Sequence, residues 1–155
     1  ADTFRYVLDN QKQELVTLQE ELEFVKAYYY LLQVRYEQHL ILEINLGKSL
    51  FKTLIPPMTL QLLVENAVKH NKISKEHPLL IYISAQDNTR IMVTNSKTPS
   101  EHKESFQIGL NNIINRYQFF TPEKIVIKNE SRFSVALPVI KEHEKPTLQP
   151  ALALT

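Results

Sequence analysis

The 155-residue sequence contains no cysteine and only two glycines, Gly47 and Gly109. Without cysteine there is no disulfide framework and no thiolate metal site, a composition that fits a reducing compartment. Glycine is the residue that turns and close backbone approaches ordinarily use, and average proteins carry about 7% of it. Charge of one sign is lacking as well. The formal charge is +1, which gives no electrostatic case for a nucleic-acid or membrane-surface partner. No apolar run approaches the roughly 20 residues a membrane-crossing helix needs, and no signal peptide opens the chain. The start at Ala1-Asp2-Thr3 is abrupt and reads as a piece cut from a longer protein. The length suffices for one domain with a core, together with a helical extension.

The chain then divides by its periodicities. Thr17 with Glu20 forms a capping box, so a helix is predicted to start there. Leu15, Leu18, Leu22, Val25, Tyr29, Leu32 and Tyr36 follow by threes and fours, a spacing suited to packing on another helix or on the helix's own domain. Leu40, Leu42, Ile44 and Leu46 alternate with Ile41, Glu43 and Asn45, a half-buried strand ending at Gly47, and Pro56-Pro57 can occupy the first turn of the helix that follows. Leu79–Ala85 and Arg90–Asn95 read as strands joined by a turn at Asp87-Asn88, and Thr98–Gln107 as a loop. Gly109–Phe119 is helical in spacing, and Lys124–Lys128 with Arg132–Leu137 forms a hairpin. Beyond Ile140 the chain is charged and then broken by proline, so a disordered tail is expected over 141–155. The order strand, helix, two strands, helix, two strands predicts an α+β fold, helices on one face of a mixed sheet.

Residues 60–72, LQLLVENAVKHNK, carry the chemistry. Leu60, Leu63, Val64, Ala67 and Val68 make a buried helical face. Asn66, Lys69 and His70 lie three and four apart and can share one patch of surface. An amide oxygen suits a hard cation such as Mg2+, an ammonium suits phosphate, and an imidazole can bond sugar or phosphate. On spacing alone the plainer reading is a solvated face with an ordinary Glu65–Lys69 pair.

The same string resembles the N-box of GHKL-superfamily ATP-binding domains, in the form found in LytS-like sensor histidine kinases. The lead-in Ile55-Pro56-Pro57-Met58-Thr59, the upstream Phe4–Leu8 and residues 16–37, and Ile108–Asn112 with Asn115-Arg116-Tyr117 extend the likeness over about residues 4–140. The resemblance implies a two-layer α/β sandwich of the GHKL (Bergerat) type preceded by a helical linker. It divides the chain into a linker over 1–38 and an ATP-binding catalytic domain over 39–140. ATP and Mg2+ are the implied cofactors. Asn66 is implied as the metal residue, Lys69 and His70 as phosphate or ribose contacts, and Gly109 with Leu110 as the second glycine box. Asn95 stands where the family has the adenine-binding Asp, and the first glycine box lacks its glycines. Glu65 is the implied general base, although the family's acidic position four before Asn66 is Leu62 here; a surface acid is the other reading.

None of the five histidines sits in the family's acceptor context of a His followed by Pro-His-Phe, so the acceptor is expected upstream of Ala1. The implied activity is transfer of the ATP γ-phosphoryl group to that histidine, within a bacterial two-component sensor kinase. A response regulator is the implied next partner, with homodimerisation through the upstream helices. The implied location is a cytoplasmic domain of an inner-membrane protein, with no membrane contact by this part. The glycine-poor lid and Asn95 speak for a runner-up, a non-catalytic pseudokinase serving as a dimerising or signal-relaying module, and the intact N-box speaks against it. A GHKL phosphotransferase acting on serine fits less well, because it would not need the heptad-spaced helix.

Overall fold

The computed structural model describes residues 15–99 and 106–142. In chain order the elements are β1 (Val16–Thr17), α1 (Leu18–Tyr36), β2 (Leu40–Asn45), β3 (Leu54–Ile55), α2 (Thr59–Lys69), β4 (Leu79–Gln86), β5 (Arg90–Asn95), α3 (Phe106–Gln118), β6 (Val126–Asn129) and β7 (Phe133–Pro138). The expected N-terminal segment over 1–14 and the tail from 143 lie outside the described residues.

Five strands form one mixed sheet in the order β2-β4-β5-β7-β6. β2 and β4 run parallel and the other neighbours antiparallel. A parallel pair needs a long crossover, and here the crossover contains α2. The β4–β5 turn carries Asp87 at φ 51° and Asn88 at φ 55°, a left-handed conformation that short polar side chains tolerate without glycine. One face of the sheet is apolar: Ile81 and Ile83, Ile91 and Val93, and Val135 and Leu137 are all buried. The helices pack on that face with Leu60, Leu63, Val64, Ala67, Leu110, Ile113 and Tyr117. This is the α+β arrangement expected, with the helices on one side.

Thr17 caps α1 through a hydrogen bond from the Glu20 N–H, 3.1 Å. The apolar seam read from the sequence lies on the domain itself. Leu18, Leu22 and Val25 are buried, while Tyr29, Leu32 and Tyr36 are partly buried against the core. A second stripe, Ala27, Tyr30, Leu31 and Val34, faces solvent, with Tyr30 71% and Val34 80% exposed.

Three features differ from the sequence expectations. β1 and β3 form a two-stranded antiparallel ribbon, too short for periodicity to register. Pro56-Pro57 does not occupy the first turn of α2, because Met58 at φ 70° is the N-cap and the helix starts at Thr59. α3 starts at Phe106, not Gly109. Phe106 stands four residues before Leu110 and so continues the same helical spacing backwards.

Candidate functional site

Helix α2 is held at its start by groups from two other helices. The Met58 N–H donates to Glu21 Oε2 at 3.0 Å. Met58 has no side-chain cap of its own, so the carboxylate from α1 caps α2, at the end where the helix dipole favours an anion. Arg116 of α3 donates from Nη1 to the Pro57 carbonyl at 2.6 Å, and Thr59 Oγ1 donates to the Pro56 carbonyl at 2.7 Å. Together these bonds hold Met58 in a left-handed conformation that a side chain rarely adopts.

Glu21 and Gln61 are both buried, and each leaves its Oε1 without a partner. Burial pushes the Glu21 carboxyl up to about 7, against the lowering influence of the Met58 and Gln61 backbone and of Arg116. The Tyr117 phenol is pushed far up, first by burial and then by Glu21. Sequence reading missed Glu21, and its signal was available. It lies three residues after Leu18 and four before Val25, an acid inside the apolar stripe. Arg116 is part of this junction as well.

Seven residues along the helix lies Asn66. Its Nδ2 is buried and has no hydrogen-bond partner. A Cβ added at Gly109 would stand 3.1 Å from that Nδ2 and 3.4 Å from Oδ1. The structure therefore corrects the sequence view of Gly109. It is not the turn that opens a helix but the fourth residue of α3, and its missing side chain leaves space for the Asn66 amide. The Leu110 side chain is core, 2% exposed, so this position can offer a ligand only main chain.

Lys69 is exposed and His70 half-buried, both at the C-terminal end of α2. Glu65 is adjacent in sequence to Asn66 but about 100° away around the helix. Its Oε1 accepts from Gln61 Nε2 at 3.1 Å, and it is an electrostatic neighbour of Tyr28 on α1, whose phenol is pushed up by burial first and by Glu65 second. The structure thus turns Asn66 toward α3 and Glu65 toward α1.

Asn95 ends β5 on the helix-facing side of the sheet and is 6% exposed. Its Nδ2 donates to the Ser96 carbonyl at 2.8 Å. A carbonyl can only accept, so the amide orientation is fixed and Oδ1 is the atom left to accept from a ligand. Ser96 is tied to β4 in turn, its N–H donating to the Leu80 carbonyl and its Oγ accepting from the Leu80 N–H, both at 2.9 Å.

Sequence reading also missed Asn71, just beyond the C-cap His70. Its Nδ2 donates to the Ala67 carbonyl at 2.8 Å, and its Oδ1 accepts from the Thr98 N–H at 2.8 Å. Asparagine immediately after a helix end was the available signal.

Among the described residues, no group of three or more His, Cys, Asp or Glu could hold a metal ion. Mg2+ does not require one, because it binds through one or two protein oxygens plus water and substrate phosphates. The Asn66 Oδ1 can supply such an oxygen beside a residue without a Cβ, while its unpaired Nδ2 is a donor suited to a phosphate oxygen. No helix among the described residues is long and apolar enough to cross a membrane.

A family model described as histidine kinase matches residues 1–40. The sensor histidine kinase/phosphatase LytS of Staphylococcus aureus (strain MRSA252) is 43% identical over 67 residues, 43% of this chain. The matched stretch is 12% of that relative's length. Among solved structures, a nucleotide-free catalytic domain of histidine kinase ThkA aligns with TM-score 0.56 and 17% identity, covering 83% of this chain and 97% of that one. Full-length ShkA in complex with AMPPNP aligns with TM-score 0.53 and 15% identity, covering 82% of this chain and 31% of that one. At these identities the structural likeness shows the fold.

Proposed function

For a chain that is LytS-like in sequence and has the fold of histidine kinase catalytic domains, we propose an ATP-binding function. The catalytic domain spans about 39–140, with α1 as the end of its linker, and transfers the ATP γ-phosphoryl group to a histidine outside this sequence. The observation that carries this reading is the Asn66 amide, buried at Nδ2 without a partner and lying against Gly109. A donor left unpaired in a packed site costs free energy; a phosphate oxygen accepting from Nδ2 removes that cost, and Oδ1 is then the amide atom for the metal.

In this reading Asn66 holds Mg2+, Lys69 and His70 contact the phosphate side, and Asn95 Oδ1 accepts from the adenine amino group. Gly109 leaves room for Asn66, and the main chain around Leu110 approaches the phosphates. Bound Mg2+ supplies charge neutralisation of the phosphates. Glu65 takes the general-base role; Gln61 orients its carboxylate through their hydrogen bond. The acceptor imidazole nitrogen forms the new bond to phosphorus while the bridging oxygen departs with ADP. Downstream partners would be a response regulator and a second kinase subunit, joined through the upstream helices, in a membrane-anchored whole.

Calorimetric titration of Mg-ATP into the chain tests the reading. Saturable binding that disappears on chelation of the metal is expected. No heat of binding at millimolar nucleotide would overturn it. Glu65→Gln is expected to reduce phosphotransfer to an acceptor helix supplied in trans while leaving nucleotide affinity within about twofold.

A further inference from the structure

We propose that Asn71 is a positioning residue that fixes the spacing between the adenine end and the metal end of this site. The inference rests on the nucleotide reading above and deepens it. Asn71 follows the end of α2, and both polar atoms of its amide are used. Nδ2 donates to the carbonyl of Ala67, the residue next to Asn66. Oδ1 accepts from the Thr98 N–H at 2.8 Å and from Thr98 Oγ1 at 3.4 Å. The same hydroxyl also lies 2.7 Å from the Lys72 carbonyl, and the Lys72 N–H donates to the Pro99 carbonyl at 3.3 Å.

Thr98 is three residues past Asn95, and the Asn95 amide is itself bonded to Ser96. The short main-chain segment from Asn95 to Thr98 is therefore bonded at Thr98 to Asn71, which is bonded in turn to Ala67 beside Asn66. The other connection between these two points is apolar packing of α2 on the sheet, which is non-directional. Hydrogen bonds with both amide atoms engaged set a distance and an orientation.

Such a clamp matters for a ligand that must reach both ends at once. ATP presents an adenine and a metal-bearing triphosphate on one framework, so its affinity depends on how well the two subsites are spaced, as for any two linked binding groups. Ligands that reach only one end do not feel that spacing. There is no glycine between Gly47 and Gly109, and Thr98–Pro99 is tied to the end of α2 by the Asn71 side chain together with the Lys72–Pro99 main-chain bond.

The test uses the chain with three probes, Mg-ATP, adenosine and Mg-tripolyphosphate, each titrated into wild type, Asn71→Ala and Thr98→Val and followed by NMR shifts. Asn71→Ala is expected to lose about tenfold in Mg-ATP affinity while both half-ligands stay within twofold of wild type. Thr98→Val, which removes only the hydroxyl bonds, should show the same pattern with a smaller loss. Far- and near-ultraviolet circular dichroism identifies the variants that keep the fold, and either one alone is sufficient. Equal losses for all three probes would overturn the proposal, as would an unchanged Mg-ATP affinity. If wild type binds none of the probes, the nucleotide reading itself falls and takes this inference with it.

Discussion

At the N-terminal end of α2 the surrounding protein closes on the helix. Glu21 from α1 caps Met58, Arg116 from α3 grips Pro57, and Gln61 sits buried behind them. At the other end the helix offers groups outward. Asn66 keeps an amide unpaired, Lys69 is exposed, and Asn71 reaches across to the loop after β5. The first end fixes where the helix stands, and the second places chemistry at a known position relative to it. In the nucleotide reading, one helix of 11 residues serves as foundation and as site. Its two ends should answer differently to substitution.

The largest effects come from cutting each end at its most committed residue. Leu63 is 4% exposed on the apolar side of α2, and Leu63→Ala should lower stability by about 2–5 kcal/mol through lost burial and the cavity left behind. Urea unfolding measures this, and the folded fraction should keep wild-type nucleotide affinity. Asn66→Ala should do the reverse. Removing an unpaired buried amide is close to neutral for stability, within about 0.5 kcal/mol, while Mg-dependent nucleotide binding is abolished. If Asn66→Ala unfolds the chain, or Leu63→Ala costs as much affinity as Asn66→Ala, the division between the two ends does not exist.

The next effect belongs to the foundation alone and is read in pH. The Glu21 carboxyl is raised from 4.5 to about 7 in the folded chain, so between these values the native state holds a proton that the unfolded chain has released. Its contribution to stability is therefore fullest below about 4.5, falls as pH rises toward 7, and is flat above. A shift of this size corresponds to on the order of 3 kcal/mol at full development. Protonation also brings a donor to a place where Glu21 Oε1 and Gln61 Oε1 both lack one. Glu21→Gln keeps an oxygen to accept from Met58 and removes the titration. Unfolding free energies at pH 5, 6, 7 and 8 should slope downward in wild type relative to Glu21→Gln. Parallel curves would mean that the carboxyl is ionised throughout.

These two ends were unequally legible in the sequence. Periodicity located all five strands of the main sheet and the three helices, because burying one face imposes a repeat of two or of about 3.6 on the residue pattern. The likeness to LytS-like kinases was legible in LQLLVENAVKH; a histidine kinase family model matches the chain elsewhere, over residues 1–40, and the LytS relative and the fold agree with it. The spacing of Asn66, Lys69 and His70 allowed them one patch of surface; that they fall in the last turn of α2 and at its C-cap is seen only in the structure. What did not follow was anything depending on contacts distant in sequence. The Glu21–Met58 bond spans 37 residues and the Arg116–Pro57 bond 59, and no local pattern announces either. Gly109 was misplaced for a related reason. The sequence showed a glycine near a helix start, while the demand for it comes from Asn66 on another helix.

The smallest expected effect lies at Asn95, the proposed adenine contact, and the structure makes it smaller than the sequence alone would. Replacing a neutral acceptor by a charged one strengthens a hydrogen bond from about 1 kcal/mol to about 1.5–3 kcal/mol. On that ground Asn95→Asp should bind adenine nucleotides up to about tenfold more tightly, at ~1.4 kcal/mol per decade. However, the Asn95 Nδ2 donates to the Ser96 carbonyl, and an aspartate has no donor to put there. The substitution loses that bond and sets a carboxylate oxygen against a carbonyl oxygen, which offsets about 1 kcal/mol of the gain. A net improvement of no more than about twofold is the expected result, from paired Mg-ATP titrations of wild type and Asn95→Asp at the same Mg2+ concentration. A full tenfold gain would mean that Ser96 turns away without penalty and that the adenine end is looser than its hydrogen bonds imply. A loss would mean that the Ser96 bond, rather than the free Oδ1, is what the nucleotide site needs from residue 95.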